Sequence, residues 1–290
     1  MMMDGGVRDG SGVKDVSDRE ARETERMETV RSRDGTTIAF DRSGVGPPLV
    51  FVGGALSNRG AAADLASQLA PHLTVLAYDR RGRGDSTDTA PYAVEREIED
   101  LDALIGAAGG SASVYGHSSG GALALRAAGA GLAITRLAVY EPPFIVDHSR
   151  DVLPQDFVDQ IDHLLAAGRR GDAVAYFMTV AVQVPDDVVG RMRGSPMWPV
   201  MEAAAHTLAY DNRVMDGLMT GDPAPLERWA TLPMPILALD GGASPAWARA
   251  AVGALAETIP RAEYRTLEGQ NHGVEAAVLA PLLAAFFLSD

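Results

Sequence analysis

The residues in this chain best suited to chemistry are Ser118 and His272. Ser118 is the centre of Gly116-His117-Ser118-Ser119-Gly120, a G-x-S-x-G pattern. A β-prone run, Ala112-Ser113-Val114-Tyr115, precedes it and a helix-forming run, Gly121 to Ala128, follows it. The serine therefore falls where a strand must turn sharply into a helix. Side chains two positions before and two after it would collide in so tight a turn, hence glycine at 116 and 120. A serine is a poor nucleophile at neutral pH until a neighbouring base removes its proton. Of the six histidines, His272 follows the last expected strand and precedes the C-terminal helix. That puts it on the carboxyl-end rim of a parallel sheet, the rim that Ser118 also occupies. An imidazole of ordinary pKa, about 6.5, can take the serine proton and return it to a leaving group.

A carboxylate should complete the set by fixing the imidazole tautomer. Two positions offer one. Glu141 ends the strand after the elbow helix, in Tyr140-Glu141-Pro142-Pro143, with no basic residue nearby in sequence, and Asp240 ends a later strand, in Leu239-Asp240-Gly241-Gly242-Ala243-Ser244. Glu141 is preferred, with Asp240 as the alternative. A developing oxyanion needs backbone N–H donors, expected from Ser119 and from Ala55 in the turn Gly53-Gly54-Ala55-Leu56. Gly54 lets the backbone approach substrate closely, and His117 is expected to line the pocket or to make a hydrogen bond there rather than to serve as a second base. The arginines of Asp79-Arg80-Arg81-Gly82-Arg83-Gly84-Asp85-Ser86 lie among aspartates in a glycine-bearing turn, without the P-loop pattern, and read as structural through ion pairs inside the turn. No two histidines have metal-ligand spacing and the chain has no cysteine, so neither a metal site nor a disulfide is expected.

The elements that must position these residues follow one grammar. From Thr29 onward, short β-prone runs alternate with amphipathic helical runs, the pattern of a mainly parallel α/β sheet. A hairpin is expected across Arg33-Asp34-Gly35-Thr36, then buried strands at Leu49–Val52, Val75–Tyr78, Ser113–Tyr115, Leu137–Tyr140, Ile236–Leu239 and Tyr264–Leu267. Between Tyr140 and Ile236 only helical periodicity appears, over a stretch too long for a structureless loop. The expected organisation is a leader over residues 1–26, a core formed by 27–141 and 226–290, and a helical cap at 142–225. With 290 residues, 47% of them apolar, the chain can bury a full core. Its net charge of −14 argues against nucleic acid and anionic membranes as partners. No run reaches the roughly 18 apolar residues that span a bilayer, and a cytoplasmic location is the default expectation.

The elbow at Gly116–Gly120, the Asp79–Ser86 turn and the late His272 together resemble the α/β-hydrolase superfamily from Thr29 to the C-terminus. The resemblance implies an eight-stranded, mainly parallel sheet, a helical cap over the active site and chemistry without a cofactor. Ser244 stands where many members carry the triad aspartate. A glutamate at the position of Glu141 is similar to the arrangement in some haloalkane dehalogenases and in zearalenone-type lactonases, although those dehalogenases use an aspartate at the elbow. The expected activity is hydrolysis of a carboxylic ester or lactone through an acyl-enzyme. The alternatives are a receptor-like ligand-binding protein, or a triad enzyme of another reaction such as carbon–carbon bond hydrolysis or acyl transfer. The cap, with Phe177, Met215 and Trp198 among its apolar residues, implies a small uncharged ester or lactone substrate, and Trp198 is a candidate to touch it, with packing of the cap as the alternative.

Overall fold

In the computed structural model, residues 26–289 are described. The leader expected over 1–26 lies outside them except for Arg26, which opens the first strand. Eight strands form one sheet: β1 (Arg26–Arg31), β2 (Thr37–Ser43), β3 (Pro48–Val52), β4 (Thr74–Tyr78), β5 (Ala112–His117), β6 (Ile134–Tyr140), β7 (Ile236–Gly241) and β8 (Ala262–Leu267). Their spatial order is β1-β2-β4-β3-β5-β6-β7-β8. The β1–β2 and β2–β4 pairs are antiparallel and the other five are parallel. The fold is therefore the mainly parallel α/β sheet expected from the alternation, with the eight strands that the resemblance implies. The first hairpin turns at the Asp-Gly site, where Ser32 N–H bonds to Thr36 O at 2.8 Å and Gly35 has φ +87°.

Strand pleating explains why these runs are apolar throughout. Val50 and Val52 face one side of β3 with Val114, Val139, Ile236 and Ala238, while Leu49 and Phe51 face the other with Val75, Tyr115, Tyr140 and Leu239. Both faces are covered, so the central strands are apolar apart from a few buried polar positions such as Ser113 and Asp240. The first face is packed by α2 (Val94–Ala107), α3 (Ser119–Gly129) and α9 (Ala246–Thr258), the second by α1 (Ala63–Leu69) and α10 (Ala276–Leu288). Each fully buried valine or leucine contributes roughly 1.5–3 kcal/mol to holding these layers together.

Between β6 and β7 lie helices α4 (Phe157–Ala166), α5 (Arg170–Val180), α6 (Asp186–Met192), α7 (Trp198–Ala204) and α8 (Leu208–Val214). They share a separate apolar cluster of Phe157, Ile161, Val174, Val189, Trp198 and Leu208, which touches the core through Leu56. The two ends of this insertion meet in an isolated parallel bridge between Ile145 and Met219, with Ile145 N–H bonded to Leu218 O at 3.1 Å. No helix among the described residues is long and apolar enough to cross a membrane.

Candidate active site

Ser118 has φ 56° and ψ −128°, a backbone conformation that costs a non-glycine residue roughly 1–3 kcal/mol. Neighbours hold it there: Ser118 N–H donates to Tyr140 O at 2.9 Å, and Ser118 O accepts from Gly121 N–H at 2.8 Å. The glycine positions are steric necessities. A β-carbon on Gly116 would lie 2.6 Å from Gly120 O, and one on Gly120 would lie 2.2 Å from Val52 O. Both clashes are with backbone, which cannot swing aside. Gly120→Ala is accordingly expected to cost at least about 3 kcal/mol, a fall of roughly 6–12 °C in Tm for a domain of this size, measurable by thermal unfolding.

Parallel register brings the other groups to the same rim. His117 pairs with Tyr140, Tyr140 with Leu239, and Gly241 with Leu267, so β5 to β8 end side by side. Glu141 follows β6 at φ 44°, outside the pleat, with its carboxylate buried. Oε1 accepts from Gly241 N–H at 2.8 Å, and Oε2 accepts from His272 Nδ1–H, also at 2.8 Å. Burial pushes the Glu141 pKa up, but the hydrogen bonds from His272 and Gly241, with the Ser244 hydroxyl nearby, outweigh it and hold it below the ordinary carboxylate value. The carboxylate is therefore ionised and accepts the Nδ1 proton, which directs the lone pair of a neutral imidazole to Nε2.

The loop carrying His272 is pinned from beneath. Tyr140 OH donates to Asn271 O at 2.7 Å and Ala243 N–H to Gln270 O at 2.8 Å. His117 Nε2 donates to His272 O at 2.9 Å. Burial and the neighbouring His272 ring pull the His117 pKa down to about 4, so His117 is a neutral donor at cellular pH. Its part is to brace the loop through that hydrogen bond, the second of the two parts expected of it, and it does not line the cavity.

Asp240 is not joined to His272. Its Oδ2 accepts from Tyr264 OH at 2.6 Å, its Oδ1 has no partner, and burial raises its pKa. The reason is the pleat: Leu239 faces the α10 side, from which His272 approaches, so Asp240 faces the opposite side with Ala238.

Ser118, Ser119, Ala55, Glu141 and His272 line one cavity of about 150 Å³. Among the described residues the N–H groups of Ala55 and Ser119 have no hydrogen-bond partner. The Ser118 hydroxyl likewise makes no hydrogen bond, to His272 or to any other described group. Contacts of this kind tighten when substrate binds. Gly54 packs under Ser118, where its missing β-carbon would lie 2.9 Å from Ser118 Cβ. It shapes the turn without lining the cavity.

Trp198 packs the insertion and does not touch the cavity, so its place among the substrate-contact candidates is corrected. It is 4% exposed inside the helical insertion, donates from Nε1 to Glu202 Oε1 at 2.8 Å, and carries the Arg193 guanidinium over its ring. It is absent from the cavity wall, which takes Phe177 and Met215 from the insertion and Trp247 from α9. An aromatic flanked by prolines signals a packed helix start here, with Pro199 in the first turn of α7.

The arginine turn does more than sequence suggested, since its main partners lie outside the turn. Arg81 pairs with Asp100 and Asp34. Arg80 takes Glu97 at 2.6 Å and Asp211 at 2.7 Å, and Arg83 takes the other Asp211 oxygen at 2.7 Å and Gly54 O at 2.6 Å. Ser119 Oγ donates to Asp211 at 2.7 Å. This buried network ties the Gly53–Leu56 turn, Ser119 and α8 of the insertion into one unit. Burial pushes the Asp211 pKa up, but Arg83 and Arg80 hold it below its usual value. Removing one partner of such a cluster leaves uncompensated buried charge and costs about 3–5 kcal/mol. Asp211→Asn should lose that much in urea unfolding at neutral pH. A carboxylate with a depressed folded pKa stabilises above its unfolded pKa of about 4 and ceases to as pH falls through the folded value. The gap between the variant and the parent should therefore hold from pH 7 to pH 5 and narrow in stronger acid.

A parallel-sheet rim that carries an elbow serine, an imidazole bonded to a buried carboxylate and a helical insertion above them defines the α/β-hydrolase fold. The chain belongs to the alpha/beta hydrolase family, whose pattern residues 49–283 match. It is similar to an alpha/beta hydrolase from Sphaerobacter thermophilus DSM 20745, with 60% identity over 90% of this chain and 100% of that one and a TM-score of 0.85. A hydrolase from Pseudomonas aeruginosa PA01 shares the fold at 21% identity, covering 91% of this chain and 99% of the other, with a TM-score of 0.72. A thermophilic esterase from Thermogutta terrifontis does so at 18% identity over 90% and 99% of the two chains, with a TM-score of 0.69.

Proposed function

We propose that this chain is a serine hydrolase that cleaves a carboxylic ester or lactone through an acyl-enzyme intermediate. The observation that carries the reading is the 2.8 Å bond from His272 Nδ1 to the buried Glu141, beside the unbonded Ser118 hydroxyl in one cavity. Ser118 Oγ attacks the substrate carbonyl while His272 Nε2 takes its proton. The negative charge that develops on the carbonyl oxygen is held by the free N–H groups of Ala55 and Ser119. Collapse of the tetrahedral intermediate breaks the ester bond, and imidazolium returns the proton to the departing alkoxide oxygen. A water, deprotonated by the same imidazole, then attacks the acyl-serine and releases the acid and the free hydroxyl. Glu141 stabilises the imidazolium in both halves.

The esterase of similar fold from Thermogutta terrifontis is consistent with this choice of bond, and a cytoplasmic location belongs to the same reading. A fluorophosphonate probe should modify Ser118 alone, as read by intact-mass and peptide analysis, and a screen of esters and lactones should then give steady turnover. Labelling elsewhere would overturn the assignment of the nucleophile. Release of a single equivalent of product with the ligand retained would point instead to a ligand-binding protein on this fold.

A further inference from the structure

The cavity above Ser118 contains a cation that nothing in the proposed chemistry uses. Arg150, on the segment between β6 and α4, lines the same cavity as Ser118 and His272 and is only 9% exposed. Among the described residues it forms no ion pair within 4 Å, unlike the buried Arg80, Arg81 and Arg83. Its Nε donates to Asp151 O at 3.3 Å and one Nη to Ala181 O at 3.1 Å, just past the end of α5. Those bonds occupy two of its five N–H groups. The Trp247 ring, 4.6 Å from the guanidinium carbon, supports it from below without neutralising it.

The other charges in the cavity are already satisfied. Glu141 is bonded to His272, and Asp211 to Arg80, Arg83 and Ser119. Burial disfavours the charged form of Arg150 and outweighs the attraction of the neighbouring Asp151 carboxylate, so the group is held under a desolvation penalty that an arriving anion would relieve. A guanidinium with an open fork of donors matches a planar carboxylate. The cavity is small, about 150 Å³, which restricts the ligand to a few carbons.

We propose that Arg150 is the receptor for a substrate carboxylate, and that the natural substrate is a compact ester or lactone bearing a second, free carboxylate, such as the monoester of a short dicarboxylic acid. This rests on the hydrolase reading above and replaces the uncharged substrate implied by the apolar insertion.

The test compares monomethyl esters of the straight-chain diacids from malonate to adipate with methyl esters of monoacids of equal chain length, followed by proton release. The best hemiester should exceed its neutral counterpart in kcat/KM by about 10-fold or more. Arg150→Met should shrink that ratio by about 10- to 100-fold, the effect of losing charge-assisted hydrogen bonds in a dry site, and Arg150→Lys should recover part of it. A parent enzyme without preference for the hemiester would overturn the proposal. So would an Arg150→Met enzyme that loses activity equally on both series, since Arg150 would then only brace α5 and Trp247. If Arg150→Met does not fold, competitive inhibition of the parent by glutarate but not by its uncharged diamide decides the matter. If no ester is cleaved, the hydrolase reading fails while calorimetric titration of glutarate into the parent protein still tests the carboxylate site.

Discussion

Ser118→Ala should lower kcat/KM for an activated ester by about 10⁴- to 10⁶-fold while leaving the fold unchanged, as followed by ester hydrolysis and thermal unfolding. Loss of the nucleophile removes the covalent route entirely. What persists is the contribution of the Ala55 and Ser119 N–H groups and the cavity, which in triad enzymes amounts to about 10³–10⁴ over water. The fold should survive because the Ser118 hydroxyl makes no hydrogen bond, and alanine keeps the β-carbon that packs on Gly54. Ser118→Gly offers a sharper version. It should be equally inactive but relieve the φ 56° strain, offset in part by the greater unfolded-state freedom of glycine. A Ser118→Gly variant less stable than Ser118→Ala would mean that the elbow is not strained as described. Activity retained in either variant would place the nucleophile elsewhere.

The elbow was legible in sequence because its constraints are local. A strand, a serine between spaced glycines and a helix are consecutive, and each glycine answers to a clash within a few residues or with the adjacent β3. The sheet was legible for a related reason: strands buried on both faces read as continuous apolar runs, as in Leu49–Val52 and Ile236–Leu239. His272 could be placed from chain order alone, because the loop after the last parallel strand of such a sheet must open on the elbow's rim.

What sequence left obscure was set by contacts between distant segments. Asp211 sits in α8 among ordinary polar residues, and only the folded chain reveals Arg80 and Arg83 converging on it from a turn far upstream. Arg150 resembles any surface arginine until the insertion closes over it. Trp198 had the composition of a ligand contact, but composition cannot say whether an aromatic faces a cavity or its own helical cluster. In the same way His117, adjacent to the nucleophile in sequence, alternates with it in direction and points toward the His272 loop.

Between Glu141 and Asp240, sequence could rank but not decide, because both end parallel strands on the same rim. Their environments lead to opposite expectations for the same chemical change. Glu141→Gln keeps the size of the side chain but presents either an amide N–H₂ or a neutral oxygen to Nδ1. With the N–H₂ there, the imidazole must move its proton to Nε2 and can no longer accept one from Ser118. With the oxygen there, the tautomer survives but the imidazolium loses its counter-charge. Either way kcat should fall about 10³- to 10⁴-fold, the scale seen when a triad carboxylate becomes an amide. Asp240→Asn should change kcat by less than about threefold. Asp240 is bonded to Tyr264, makes no hydrogen bond to His272, and carries a charge that burial disfavours, so asparagine removes a penalised charge and should leave stability equal or higher. Steady-state kinetics and thermal unfolding of the two variants side by side decide the acid. A larger loss of activity in Asp240→Asn would transfer the role to Asp240 and require the His272 loop to rearrange in the working enzyme, breaking the bonds that Tyr140, His117 and Ala243 make to it.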